Sequence, residues 1–351
     1  MSYITKPKVH HPSMAKNELG LTRRDYEGSM STLCAGCGHD SVTAAIILAF
    51  WELSIPPHRV AKLSGIGCSS KTPTYFLKEA HGFNSVHGRM PALATGANAA
   101  NRDLIYIGIS GDGDSLSIGL GQLCHAIRRN VNLLYVLENN GVYALTKGQF
   151  SAAADRGSTA KRGEANQQEA IDGALLALTL GATFVARTFS GDKEQLVPIL
   201  KAGIKHRGFA FIDVISPCVT FNDHDGSTKS YEYTREHLHS AVEVDFVPLR
   251  KEITLPRDAG STPTVMLHDG STVRFRRLDA DYDPSNRDAA YAYLRQHQRQ
   301  GEVVTGLLYV APDSEDMHAQ NRTVARPLTQ VPYEELVPGA EALERLQARW
   351  R

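Results

Sequence analysis

From about residue 40 the chain alternates between apolar stretches of helical spacing and short runs rich in aliphatic and β-branched residues. The short runs predict strands over Val60–Ile66, Leu104–Ser110, Asn132–Leu137, Thr183–Phe189 and Phe209–Ile215. Helices are predicted between them, over Ser41–Glu52, Thr74–Ala80, Pro91–Asn101, Ser115–Arg129, Gln168–Leu180 and Lys193–His206. Strands joined by helix-length crossovers run parallel, so the pattern predicts an α/β fold: a mostly parallel sheet with helices on both faces. LIYIGIS and VNLLYVL are nearly continuous apolar sequence, as strands covered on both sides require. Ser115 stands where it could cap its helix, and Arg128 and Arg129 fall in the last turn, favourable to the dipole.

The flanks have a different texture. Residues 1–30 are polar and irregular and read as an arm before a core of 31–245. After about 245, TPTVML and TVRFRR flank HDGS within Thr262–Asp279, the pattern of a hairpin with a tight turn. A charged helical stretch over Arg287–Gln300 and the strand-like VVTGLLYV follow. Residues 246–351 therefore read as a C-terminal extension that packs on the core or on a partner.

Composition narrows the function classes. The 351 residues carry 38 basic and 38 acidic side chains, and this balance excludes a broad surface for nucleic acid or anionic membrane. No apolar run approaches the roughly 20 residues of a membrane helix. MSYITKPKVHHPSMAKNELG lacks the apolar core of a signal peptide, so a reducing cytoplasmic setting is expected. There the five cysteines, Cys34, Cys37, Cys68, Cys124 and Cys218, do not form a disulfide framework. The C-x-x-C of Cys34 and Cys37 points to metal or redox chemistry, whereas Cys124, in GQLCHAI, reads as a core residue.

Ligands of open parallel sheets bind at the carboxyl ends of the strands. The unusual residues gather there: GCSSK (Gly67–Lys71), SGDGDS (Ser110–Ser115), ENNGVYALTKGQ (Glu138–Gln149) and SPCVTFN (Ser216–Asn222). Gly111 and Gly113 let the backbone turn tightly, and the following helix offers free N–H groups to phosphate. A carboxylate would repel bare phosphate, so Asp112 makes sense with Mg²⁺ between it and a diphosphate. Asn139 and Asn140 can add oxygen ligands. A dinucleotide fingerprint would need glycine at Leu116 or Ser70, and an EF-hand would need glycine at Ser117 and glutamate at Leu123. Cys68 and Cys218 follow strands on the same edge, with the C-x-x-C just before the first helix. Four thiolates suit zinc or an iron–sulfur cluster.

The GDG followed by an asparagine pair resembles the thiamine diphosphate motif. Together with CAGCGH (Cys34–His39), GIGCSSK, HGR (His87–Arg89), NNGVYALTKGQ and SPCVTFN, the chain resembles the β subunits of 2-oxoacid:ferredoxin oxidoreductases from about residue 28 to 240. LTKGQ is most similar to the 2-oxoglutarate branch. The resemblance implies that Cys34, Cys37, Cys68 and Cys218 ligate one 4Fe–4S cluster. It implies Mg²⁺ held by the Asp112 and Asn140 side chains and the Val142 carbonyl. Gly67, Ser69, His87, Gly111, Gly113, Asp114, Leu145 and Thr146 would surround thiamine diphosphate. Lys71 and Lys147 would meet the distal carboxylate of a dicarboxylic 2-oxoacid, and with His87 are the candidate catalytic residues. His39 reads as a hydrogen-bonding residue of the cluster loop. Ala35 and Ala144 stand where the family often has proline and glycine, which concerns loop geometry.

The implied reaction is oxidative decarboxylation of 2-oxoglutarate with coenzyme A to succinyl-CoA, carbon dioxide and reduced ferredoxin, or its reverse. Another 2-oxoacid, or a non-oxidative thiamine diphosphate enzyme with structural zinc, is the alternative. The glutamate that such enzymes place against the aminopyrimidine ring belongs to a second domain type, so an α subunit in an α2β2 assembly is implied. Ferredoxin is the implied redox partner; nucleic acid and membrane are not.

Overall fold

The computed structural model describes residues 11–159, 164–247, 264–277 and 282–350. The strands are β1 (Val60–Ser64), β2 (His81–Asn84), β3 (Ile105–Gly111), β4 (Leu133–Asn139), β5 (Val142–Tyr143), β6 (Gln149–Phe150), β7 (Phe184–Phe189), β8 (Phe209–Ile215), β9 (Leu238–Val247), β10 (Thr264–Met266), β11 (Thr272–Arg277) and β12 (Val303–Val310). Among the described residues ten of them form one sheet in the order β10-β11-β9-β12-β7-β8-β4-β3-β1-β2, and β5 and β6 form a small hairpin. The six strands from β7 to β2 run parallel. The main helices are α1 (Gly38–Glu52), α2 (Met90–Ala100), α3 (Leu120–Arg128), α4 (Gly173–Thr179), α5 (Lys193–Lys205), α6 (Tyr231–His237) and α7 (Arg287–Arg299).

The five predicted strands are present with ends shifted by at most two residues, and the parallel sheet is as expected. Every residue of β4 and β8 is buried, the reason their sequences carry no alternation. Tyr135 stacks between Phe209 and Phe211 at 5.8 Å from each, joining the two strands through one face.

Several expectations fail for identifiable reasons. Thr74–Ala80 is not a helix: a 3₁₀ turn over Ser69–Thr74 contains Pro73, and the chain then reverses with Leu77 at φ 45°. Phe76 and Leu77 are fully buried there, and the buried Lys62 donates to their carbonyls at 2.6 and 2.9 Å. Ser115 is not a helix cap. Residues Gly113–Ile118 form a π-helical turn before α3, and the buried Ser115 hydroxyl bonds Ser110 and Tyr135 instead. The helix expected from Gln168 begins at Gly173, where Asp172 accepts from Leu175 N. Cys124 is half-buried rather than a core residue. The arm is partly anchored, because Tyr26 is fully buried and Glu27 bridges to Phe76; its residues 1–10 lie outside the described residues.

The segment after 245 enters the sheet itself. β10 and β11 pair as the expected hairpin, whose outer residues 262–263 and 278–279 lie outside the described residues. β11 pairs with β9, and β12 inserts between β9 and β7, parallel to the first and antiparallel to the second. Gly306 permits a shift of register in β12, since an added Cβ would lie 2.2 Å from the Val242 carbonyl oxygen. Beneath this junction Arg187 of β7 reaches Asp172 at 2.5 Å and Asp213 of β8 at 3.0 Å. Asn139, the last residue of β4, donates to Asp213 at 3.1 Å.

Candidate cofactor and metal site

Four neighbouring strands, β8, β4, β3 and β1, bring their carboxyl ends to one edge. The cleft there is lined by Ile66, Gly67, Cys68, Ser69, His87, Gly111, Asp112, Gly113, Asp114, Asn140, Val142, Tyr143, Ala144, Leu145 and Thr146, with His39 at its base. The sequence motifs thus meet in space. Lys71 and Lys147 do not line this cleft. Lys71 sits in the turn after Cys68, close enough for its charge to favour that thiolate. Lys147 is exposed at the tip of the β5–β6 hairpin, with φ 81°.

Asp112 is the deepest acid in the cleft, 1 % exposed. It accepts from the Ser151 hydroxyl and from Asn140 N at 3.2 Å, and among the described residues no cation is in direct contact, Lys229 acting only from a distance. Burial pushes its carboxyl up to about 6 against these hydrogen bonds. Asn140 lies alongside: its Oδ1 accepts from Val142 N at 3.1 Å, and its carbonyl accepts from Asn222 Nδ2 at 2.7 Å. A carboxylate, an amide oxygen and a backbone carbonyl are hard donors of the kind Mg²⁺ takes. The glycines keep the floor clear, since a Cβ on Gly113 would meet the Tyr143 ring at 2.5 Å and one on Gly111 would meet Ser69 Oγ at 2.8 Å. The residues present therefore fit a magnesium diphosphate.

Asp114 has a different role from Asp112. Its carboxylate accepts from Gly88 N at 2.7 Å, Ile66 N at 3.2 Å and Ser110 Oγ at 2.6 Å, and His87 Nδ1 stands 2.5 Å away. These contacts tie the exits of β1 and β3 to the HGR turn and use up its lone pairs, so Asp114 shapes the cleft rather than ligating metal. The clamp depends on Gly65, whose added Cβ would fall 1.8 Å from Asp114 Oδ2. Gly65→Ala is expected to destabilise the chain by about 1–3 kcal/mol through overpacking, read as a lower midpoint in urea with unchanged slope. An unchanged midpoint would show that Asp114 is not held as tightly as these contacts imply.

The cysteines lie beside the cleft. Cys37 precedes α1, Cys68 follows β1, and Cys218 follows β8, while Cys34 is exposed. Cys218 lies within electrostatic reach of Cys34, Cys37 and Cys68. Burial raises the Cys37 thiol to about 12, with His39 N–H opposing. Burial also raises Cys218, opposed by the N–H groups of Thr220, Phe221 and Asn222. Among the described residues no three of these sulfurs lie within 4.8 Å of one another.

A buried network holds these loops together; of its members the sequence singled out only His39, as the hydrogen-bonding residue of the cluster loop that it is. Glu138 is fully buried and accepts from Thr72 Oγ1 at 3.0 and 3.2 Å; burial raises its carboxyl well above the usual range. His39, lowered to about 4 by burial, bonds Ser216 Oγ at 2.6 Å and lies 3.6 Å from Glu138. Thr72, His39 and Ser216 are near neighbours of Cys68, Cys37 and Cys218, so one buried network links three cysteine loops. Tyr143, donating to Gly113 O at 3.1 Å, and Ser151 were also missed; neither residue type announces itself in a loop.

Comparison with known proteins agrees with this geometry. Residues 65–214 match the family model described as thiamine pyrophosphate enzyme, C-terminal TPP binding domain. The chain is 44% identical over 191 residues to 2-oxoacid:ferredoxin oxidoreductase subunit beta of a Sulfolobus species, covering 54% of this chain and 63% of that one. It is 38% identical to 2-oxoglutarate synthase subunit KorB of Methanocaldococcus jannaschii, covering 54% of this chain and 69% of the relative. The match to the first of these relatives thus spans less than two thirds of its length. A solved 2-oxoglutarate:ferredoxin oxidoreductase from Magnetococcus marinus, with 2-oxoglutarate, coenzyme A and succinyl-CoA bound, superposes with a TM-score of 0.69 and 30% identity over 89% of this chain and 90% of that one. With the fold, the cleft and these likenesses in agreement, the chain belongs to the family of 2-oxoacid:ferredoxin oxidoreductase β subunits.

Proposed function

We propose that this β subunit binds thiamine diphosphate with Mg²⁺ beside a 4Fe–4S cluster and works with an α subunit, coenzyme A and ferredoxin on 2-oxoglutarate. The observation that carries the reading is the meeting, on one sheet edge, of the buried Asp112–Asn140 oxygen donors with Cys68 and Cys218 at strand exits and the Cys34–Cys37 pair just before α1. Two relatives named for 2-oxoglutarate support the choice of substrate.

Bound thiamine diphosphate supplies the carbanion chemistry of 2-oxoacid decarboxylation, and an iron–sulfur cluster supplies an electron acceptor. The chain's own part is to position. Asp112 and Asn140 side chains and the Val142 carbonyl would hold Mg²⁺, with Ser151 fixing the Asp112 carboxylate and Asn222 the Asn140 backbone. The Gly111–Gly113 floor and Ser69 would face the diphosphate, while Asp114 orients His87 toward the cleft. Cys34, Cys37, Cys68 and Cys218 would ligate the cluster, and the N–H groups at 220–222 would tune it through hydrogen bonds to sulfur. Lys71 and Lys147, outside the cleft here, would meet a substrate carboxylate only with the assembled complex around them. The α subunit would supply the catalytic glutamate and close the cleft to water.

The test is anaerobic co-purification with the α subunit, iron and sulfide analysis, and CoA-dependent viologen reduction. Iron and sulfide near four of each per chain, with 2-oxoglutarate turned over faster than pyruvate or branched 2-oxoacids, is the expected result. Zinc without sulfide would favour a non-oxidative enzyme, and equal rates with pyruvate would overturn the substrate.

A further inference from the structure

At the same sheet edge, beyond β8 and β7 in the strand row, three metal-ligating side chains converge from separate elements. His239 is the second residue of β9, His297 lies in the last turn of α7, and Glu302 immediately precedes β12. One ligand atom from each falls within 4.8 Å of the others, and among the described residues no other group of three or more histidines, cysteines or acids does so.

The convergence has a structural cause. Helix α7 ends with Gly301 at φ 80°, Gly301 N donating to Gln298 O at 3.2 Å and Glu302 N donating to His297 O at 3.1 Å. These are the paired bonds of a Schellman helix end, which brings the side chains of His297 and Glu302 together. That position ordinarily holds an apolar contact. Here Glu302 Oε2 meets His297 Nδ1 instead. β9 pairs in parallel with β12, Leu238 opposite Val303, so His239 arrives beside them. Its ring stacks on His297 at 4.5 Å, and its Nε2 bonds the Tyr293 hydroxyl at 2.8 Å. Such a bond from one ring nitrogen fixes the orientation of the other toward a metal. The carbonyl end of α7 adds a field favourable to a cation. Glu302 and Gln298 also line a polar cavity shared with Asn139, Asp155 and Lys229, which leaves water access to the cluster of ligands.

We propose that His239, His297 and Glu302 form a second metal site, taking one divalent ion of the zinc type through two imidazole nitrogens and one carboxylate oxygen. Nitrogen donors select Zn²⁺ or its first-row neighbours over Mg²⁺, so this site and the magnesium site do not compete for one ion. The bound ion clasps β9, α7 and β12 and leaves a coordination position for water. This assignment is independent of the cofactor reading above.

Co²⁺ is the probe, added to the full-length chain purified with its cysteine-bound metal in place and with Mg²⁺ in excess. One equivalent is expected to bind with ligand-field absorption of nitrogen and oxygen ligands and no sulfur-to-cobalt charge-transfer band. His297→Ala and, as a milder change at a half-exposed position, Glu302→Gln should each weaken binding at least about tenfold. The same ion should raise the thermal midpoint of the wild type and not of either variant. Binding of equal strength in wild type and both variants overturns the site. So does the absence of nitrogen-ligand absorption in the wild type.

Discussion

Asp112→Asn is expected to lose thiamine diphosphate with Mg²⁺ and yet to give a more stable cofactor-free chain. The carboxylate is buried with no cation in contact among the described residues, and burial lifts it from 3.8 to about 6. Two units correspond to about 3 kcal/mol of preference for the neutral form. Asparagine keeps the shape and removes the charge, but it can accept from only one of Ser151 and Asn140, which costs about 1 kcal/mol. The net gain is thus about 1–2 kcal/mol. Its sign with pH is fixed: a carboxyl raised in the folded state penalises folding as pH rises from about 4 through 6, so the gain is full above that range and vanishes below it. Calorimetric titration should find the affinity for magnesium thiamine diphosphate reduced by at least about 100-fold, since the ligand itself is lost. Undiminished binding would remove Asp112 from the magnesium site. A less stable variant at pH 8 would show that its charge is already balanced without metal.

Arg187→Met should cost about 3–5 kcal/mol, the largest stability effect expected of one side chain here. The guanidinium is buried and opposes two carboxylates, Asp172 and Asp213. Burial alone would raise Asp172, but Arg187 outweighs it and holds the carboxyl below its usual range. Methionine fills the volume and leaves both acids facing each other unpaired. A depressed carboxyl contributes stability above its unfolded value and loses it as pH falls, so the deficit should shrink toward acid pH. Substituting Asp172→Asn and Asp213→Asn together with Arg187→Met removes the charges as a set and should recover most of the loss, because asparagine still caps α4. Urea unfolding decides the matter: a deficit below about 1 kcal/mol in the single variant, or no recovery in the triple one, contradicts the buried triad.

These two sites differ in how far the sequence revealed them. Asp112 is legible because Gly-Asp-Gly at a strand exit makes little sense without a cation and an anion. Arg187 is not, because its partners lie on a helix cap and another strand, and an arginine in ARTF reads as an ordinary break in an apolar run. The central strands were legible for the reason that β4 and β8 are buried throughout. The turn after Asp114 was not: its carboxylate reaches back to Ile66 N and Gly88 N, and that tertiary demand widens the helix into a π turn where local spacing predicts an α-helix. Likewise the apolar Phe76–Leu77 pair imitates helical periodicity while its carbonyls are satisfied by a lysine on β1.

The late arrival of β12 bears on how the chain is made. β7 has β8 on one side, and its other side is covered only by a strand that begins at residue 303. During synthesis at about 5–20 residues per second, that edge waits on the order of ten seconds with its N–H and C=O groups open. Phe184, Val185 and Ala186 are fully buried in the finished fold, so the waiting edge is apolar and able to pair with a neighbouring nascent chain. Expression yield should therefore be more sensitive to changes in β12 than its distance from the cofactor cleft suggests, with ribosome pausing before residue 303 prolonging the hazard.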